Sequence, residues 1–320
     1  MADSKSTSRR NSAWLTLLIF VVIAHFNPEV LTGSTPVEKY SMFTTLLGML
    51  FYGLQVAIIA DLMARYRLRW RTLFLIGLVY GIFEEGFAVQ TILSPGPPEF
   101  GNVLRVLGLN VTWGVYITIF HAIISVLSSI LIIGLIWPAR ISRSFLQRRH
   151  YGVVIPLLTA IYSLFILFET SVYLPEASAT TILIATCFVL VLTARRSQRR
   201  ELRQTPTTGR NYVFWSVLLV LGSGLLPLIL AHAPGGPLLT TALLLISGYL
   251  LTVFFGRIDR DPHFNGSKRL AIFIVYVGFW LLLGTFFRTP LSSIVAYLGV
   301  GLQVYFGWRS SLIDNQPATS

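Results

Sequence analysis

Acidic residues are scarce in this sequence. Only 13 of its 320 residues are Asp or Glu, against 25 Lys or Arg, and charged residues of both signs make up 12%. A soluble domain carries about 25%. With 54% apolar residues and a mean hydropathy of +0.70, the chain does not read as a soluble globular protein. Cysteine is almost absent as well, and the single Cys187 excludes an internal disulfide. There is no Gly-rich phosphate loop, no HExxH, no GxSxG and no CxxC pair. The net charge of +12 is spread over short basic clusters between apolar runs. No continuous basic domain or recognition motif accompanies them, so nucleic acid is excluded as a partner and membrane lipid is the expected one.

What is present is apolar stretches of about 20 residues, repeated from end to end. Each is long enough to cross a hydrocarbon core of ~30 Å. Ten spans are predicted, at roughly 13–32, 42–62, 72–94, 111–136, 151–171, 178–194, 212–232, 237–256, 270–287 and 290–308. The turns between them hold the breakers "GSTP", "SPGPP", "APGGP" and "RTP". With the N-terminus placed in the cytoplasm, only Lys39, Arg105 and Arg288 of the 25 basic residues fall outside. The other 22 lie on the cytoplasmic side, as the positive-inside rule requires. The expected fold is therefore an all-α polytopic bundle of about ten transmembrane helices, both termini cytoplasmic, in a prokaryotic plasma membrane. Its expected divisions are a basic tail at 1–12, a polar-site half at 13–137, a scaffold or cavity wall at 138–309 and a tail at 310–320.

Polarity inside the spans is uneven. "YGIFEEGFAVQ" puts Glu84 and Glu85 about 18 Å into the third span, and His121 lies about 15 Å into the fourth from the other side. In a ~30 Å core these depths coincide. Gly77, Gly81, Glu84 and Ala88 form one stripe on the third helix, and Gly77 with Gly81 allows close backbone approach. Gly114, Thr118, His121, Ser125 and Ser128 form another on the fourth. The flanking Ile119, Ile123, Leu127 and Ile130 are expected to meet lipid. Helix 1 adds His25 at similar depth, then Asn27, a kinking Pro28, and Glu29 as a cavity-lining candidate. Gln55 and Gln303 are further interior polar positions.

A charge at the centre of a membrane helix costs at least ~2.5–3.5 kcal/mol, and such residues are functional by default. Of two adjacent buried carboxyls, one is expected to be protonated. Three uses fit Glu84, Glu85 and His121. A carboxylate can take a proton from water while a histidine holds the oxyanion, giving an intramembrane hydrolase for a membrane-embedded or lipidated substrate. Glu85, His121 and His25 can bind a divalent metal such as zinc for the same reaction. The same groups can load and unload protons in a proton-coupled transporter of a small or lipidic substrate. The structural alternative is a hydrogen-bonded pair locking helices together in a non-catalytic scaffold.

A double glutamate with a histidine on another membrane helix resembles the CAAX-protease and bacteriocin-processing family of intramembrane glutamic proteases, whose pattern is EExxxR, FxxxH, HxxxN. Glu84 and Glu85 match the first pair and His121 matches one histidine. Val89 stands at the arginine position, Ile117 at the phenylalanine and Ser125 at the asparagine, and no second histidine follows in a comparable helix. The resemblance implies a peptidase in which Glu84 or Glu85 activates water, with His121 assisting. A longer run, "EVLTGSTP" through "YGIFEEGFAVQ" to "NVTWGVYITIFHA", is similar to a group of prokaryotic multi-pass membrane proteins without an assigned activity. That resemblance covers roughly 29–137 and implies that the first four helices form the functional half. It brings Asn110 and Trp113 in as cavity-lining candidates beside Thr118 and Ser125.

Overall fold

The structure, a computed structural model, describes residues 2–94, 103–170, 176–201, 211–286 and 288–314. The "SPGPP" turn beyond Ser94, residues 202–210 of the basic link and the last six residues lie outside them. The long helices are α1 (Ala2–His25), α2 (Met42–Tyr66), α3 (Trp70–Ile82), α4 (Val111–Phe120), α5 (Ser128–Ile136), α7 (Arg148–Thr170), α8 (Ala177–Glu201), α9 (Tyr212–Val220), α11 (Gly236–Ile258), α12 (Gly266–Thr285) and α13 (Pro290–Asp314). Short pieces α6 (Pro138–Ile141) and α10 (Leu226–Leu230) join them. The first helix begins at Ala2, so the expected N-terminal tail is helical.

Among the described residues, four helices carry a π segment, with i→i+5 backbone bonding. These are Phe26–Val30 after α1, Phe83–Ala88 after α3, His121–Leu127 between α4 and α5, and Leu221–Leu225 after α9. The only strands among the described residues are β1 (Arg105–Val106) and β2 (Leu109–Asn110), an antiparallel pair just before α4. Its two-residue turn, Leu107 and Gly108, has both φ values positive, as a twist-matched hairpin requires.

Among the described residues, nine helical stretches are long and apolar enough to cross a membrane, and they coincide with nine of the ten expected spans. The remaining one, α3 with its π segment, holds Arg71, Glu84 and Glu85. The outer faces suit hydrocarbon: Phe214, Leu238, Leu245, Tyr249 and Leu298 are each more than half exposed. A soluble monomer rarely shows so much contiguous apolar surface. The stretch Val111–Ile136 differs, being 89% buried against 56% or less for the other eight. Ile119, Ile123, Leu127 and Ile130 are all buried in protein. The expectation that they face lipid is thus corrected. The faces of that helix flanking its polar stripe are apolar because they pack against protein.

The chain forms two compact units. The first comprises Met1–Leu68, Ile124–Thr159 and Phe264–Ser320. In it α1 lies so close to α2 that a Cβ on Gly53 would stand 2.1 Å from the Cα of Val21. Asp61, near the end of α2, is wholly buried and accepts from Phe145 N (2.6 Å), Leu146 N (2.7 Å), the Tyr151 hydroxyl (2.8 Å) and the Arg65 guanidinium (3.0 Å). One carboxylate thus closes the turn before α7. At the other end of the helices, Glu38 accepts from Thr289 and from Ser292 Oγ (3.0 Å), while Val37 N donates to Ser292 Oγ (2.8 Å). The Thr289 hydroxyl bond holds the Glu38 carboxyl below its usual range. The second unit comprises Arg69–Ile123 and Ala160–His263, with α3 packed on α4, α8 and α11.

Asp61→Asn removes the charge but keeps the size, and is expected to cost about 3–5 kcal/mol in thermal or denaturant unfolding in detergent. An Asp61→Asn protein as stable as wild type would show that the turn holds without the carboxylate. For Glu38 the folded value lies below that of the unfolded chain. Its contribution is therefore full above the ordinary glutamate value of ~4.3 and is lost as pH falls through the lowered one. Glu38→Gln is expected to remove that acid-side loss from a melting-temperature profile taken down to about pH 3.

Candidate functional site: a Glu–His–Glu cluster

The second unit brings Glu84, Glu85 and His121 together. Asp259 fixes the start of α3 by accepting from Trp70 N (2.7 Å) and Arg71 N (2.9 Å), which orients the helix bearing the glutamates. Asn110 starts α4 by accepting the Trp113 N–H at 3.1 Å, and its own N–H reaches Ile92 O at 2.8 Å. The two helices then pack with no space between backbones. A Cβ on Gly77 would stand 2.8 Å from the Cα of Ala122, and one on Gly81 would stand 2.8 Å from the Cα of Thr118. That seam delivers His121 to the carboxyls.

The imidazole bridges the pair. Nε2 lies 2.8 Å from Glu85 Oε1, and Nδ1 lies 3.2 Å from Glu84 Oε2. The three residues are only 7%, 0% and 2% exposed for Glu85, Glu84 and His121, so water does not screen them. The Thr91 hydroxyl donates to Glu85 Oε2, and the Trp113 indole N–H donates to Thr91 Oγ1 at 2.9 Å. The Tyr80 hydroxyl lies against Glu84, and its ring stands edge-on to the imidazole with centroids 6.0 Å apart. The result is one polar line, Trp113–Thr91–Glu85–His121–Glu84–Tyr80. Both Glu84 and Glu85 sit in a π segment, and His121 opens another. Such segments occur often at functional sites.

Proton counting constrains the bridge. A neutral imidazole has one N–H and one acceptor nitrogen. Both nitrogens here face carboxyl oxygens, so the three groups share two protons when both contacts are hydrogen bonds. Either an imidazolium lies between two carboxylates, or a neutral imidazole lies between one carboxylate and one carboxyl. Both arrangements carry one negative charge.

Glu84, Glu85 and His121 could together hold a divalent metal, each offering one atom within 4.8 Å of the others. As they stand, Nε2 faces Glu85 Oε1 and Nδ1 faces Glu84 Oε2, so an ion shared with either carboxyl would take the place of a proton there. His25, the third expected ligand, belongs to the other unit. There its ring packs against Tyr40 and Tyr52 and over Gly48.

Glu29 accepts from Tyr52 and from Thr35 Oγ1 (2.7 Å), and Gln55 Nε2 donates to Phe51 O (2.8 Å), both in the first unit. Ser125 is buried in the π segment after His121. Gln303 Nε2 donates to Asn27 Oδ1 (3.1 Å), whose amide in turn reaches Ser128 Oγ. Thr118 donates to Gly114 O (2.7 Å) and, with Asn110, lines a cavity in the second unit. Tyr80 and Thr91 were not singled out in the sequence. Tyr80 had a legible signal, lying four residues before Glu84. Thr91 had none, because it reaches Glu85 only after the chain turns at Gln90 (φ 58°).

Fold and site together define a multi-pass helical membrane protein with a buried Glu–His–Glu cluster. The chain belongs to an uncharacterised membrane protein family, whose model matches residues 18–313. No curated protein and no solved structure matches it.

Removing the imidazole leaves two buried carboxyls facing each other. His121→Ala is therefore expected to destabilise the protein by about 3–5 kcal/mol. Adding Glu84→Gln and Glu85→Gln to His121→Ala is expected to restore part of that loss, read as the midpoint of thermal unfolding. A His121→Ala protein with an unchanged midpoint would show that the bridge does not hold the helices.

Proposed function

We propose that this chain is a proton-coupled membrane carrier in which the Glu84–His121–Glu85 cluster takes up and releases one proton. The observation that carries this reading is the single imidazole held by both nitrogens between two buried carboxyls. The two-proton state carries one negative charge in a water-poor site. A third proton, on the Glu84 oxygen beside Tyr80, makes the cluster neutral. Uptake and release thus switch the charge that the surrounding helices must accommodate, and charge is costly to bury. Thr91 and Trp113 on one side and Tyr80 on the other extend the polar line beyond the three titrating groups. A prokaryotic plasma membrane, with both chain ends in the cytoplasm, belongs to the same proposal and rests on the charge pattern of the sequence.

The intramembrane hydrolase is the second reading, favoured by a carboxylate and imidazole 2.8 Å apart. It needs a carboxylate oxygen turned to a water. Glu85 gives Oε1 to His121 and Oε2 to Thr91, and Glu84 faces His121 and Tyr80. Both oxygens of Glu85 are engaged within the protein, which supports proton storage over water activation at that carboxyl.

The test uses protein in dye-loaded liposomes under an inward pH gradient. Wild type is expected to acidify the lumen, and Glu84→Gln or Glu85→Gln to slow it by about tenfold or more. Rates equal to those of empty vesicles in all three would sink the carrier reading. Cleavage of a lipidated peptide by wild type, lost in the same variants, would install the hydrolase instead.

A further inference from the structure

The second unit contains a partly open cavity of about 380 Å³ walled by α3, α4, α8 and α11. That volume lies at the small end of the ~300–1,000 Å³ range of ligand sites. Its walls are aliphatic, among them Leu75, Ile82, Ile92, Ile119, Leu183 and Leu244, and no charged side chain lines it. Three hydroxyls border it, and each is tied to its own helix: Thr118 to Gly114 O (2.7 Å), Thr186 to Ile182 O (2.8 Å) and Thr252 to Gly248 O (2.8 Å). They have no donor to offer a guest.

Asn110 is the exception. It lines the same cavity and is wholly buried. Its Oδ1 accepts the Trp113 N–H, which fixes the orientation of the amide. Nδ2 then has two N–H donors and no hydrogen-bond partner among the described residues. An unsatisfied buried amide of this kind costs about 1–3 kcal/mol. The cavity therefore combines an apolar body with one strong, unspent donor. On its rim, Thr186 is exposed and Leu245 is 57% exposed, on faces the bilayer would cover.

We infer that this cavity binds a single-chain lipid whose uncharged polar end is a hydrogen-bond acceptor, a carbonyl or ester oxygen, received by Asn110 Nδ2. The hydrocarbon chain lies among the leucines and isoleucines of α3, α4, α8 and α11. A charged headgroup is not the guest, since no side chain of opposite sign lines the cavity. A plain alkane is not favoured either, because it leaves the Asn110 amide unsatisfied. The inference goes beyond proton coupling and does not rest on it, since neither glutamate lines the cavity.

The experiment uses the full chain in nanodiscs and a diazirine-bearing long-chain methyl ester. Photolabelling is mapped by peptide mass spectrometry. Labels are expected within 75–82, 110–119, 182–190 and 244–252. An unlabelled methyl ester is expected to compete about tenfold better than an alkane of equal length, the worth of one hydrogen bond of about 1.4 kcal/mol. Asn110→Ser keeps the helix cap but removes the amide, and is expected to erase that preference. Gly248→Leu is expected to abolish labelling by filling the cavity, since a Cβ added there would stand 3.4 Å from Ile119 Cδ1. If it fails to fold, Leu245→Trp at the exposed rim makes the same test without disturbing the packing. Equal competition by ester and alkane in wild type would overturn the inference. So would labelling that persists in a folded, cavity-filled variant.

Discussion

An imidazole clamped between two carboxyls is the interaction around which the second unit is organised. Neither glutamate could stay in an apolar bundle without partners, since water is not there to supply them. His121 satisfies both from one ring. That solution demands a particular approach of α3 to α4, and the glycines at 77 and 81 permit it by presenting no side chain to the Cα atoms of Ala122 and Thr118. The helix caps follow from the same demand. Asp259 fixes the beginning of α3 and Asn110 that of α4, so the positions of Glu84, Glu85 and His121 are set from their helix ends.

A cluster so completely enclosed is chemically limited and for that reason specific. The His121 nitrogens face both carboxyls, and Glu85 also takes the Thr91 hydroxyl. What remains variable is the number of protons they share. The cavity bordered by Thr118 and Asn110 lies in the same unit and has the opposite character, apolar with one idle donor. Proton exchange and ligand binding therefore have separate seats on α3 and α4, with Thr118 one turn before His121 on the same helix.

Much of this was legible in the residues. Run lengths and hydropathy located the helices, because a bilayer imposes a length on every crossing. The meeting of Glu84, Glu85 and His121 followed from depth and helical spacing. What was not legible depended on neighbours distant in sequence. The ring contacts of His25 with Tyr40 and Tyr52, and its place over Gly48, come from such neighbours. Ile119 and Ile130 looked lipid-facing because an apolar side chain reads alike whether it meets hydrocarbon or protein. Asp61 stands near a helix end, where a carboxylate is ordinary. Its five donors come from 65 and from 144–151.

The π segments change how sequences of this kind are to be compared. Each holds one residue more than an α-helical turn would, so a helical wheel drawn through 70–88 goes out of phase after Phe83. Positions beyond the bulge are rotated by about 100° per inserted residue. A relative lacking one residue there would align with a single gap inside a membrane helix, which a gap penalty treats as an error. In this chain such a gap would be a structural event: it would straighten the helix and turn one glutamate away from the histidine.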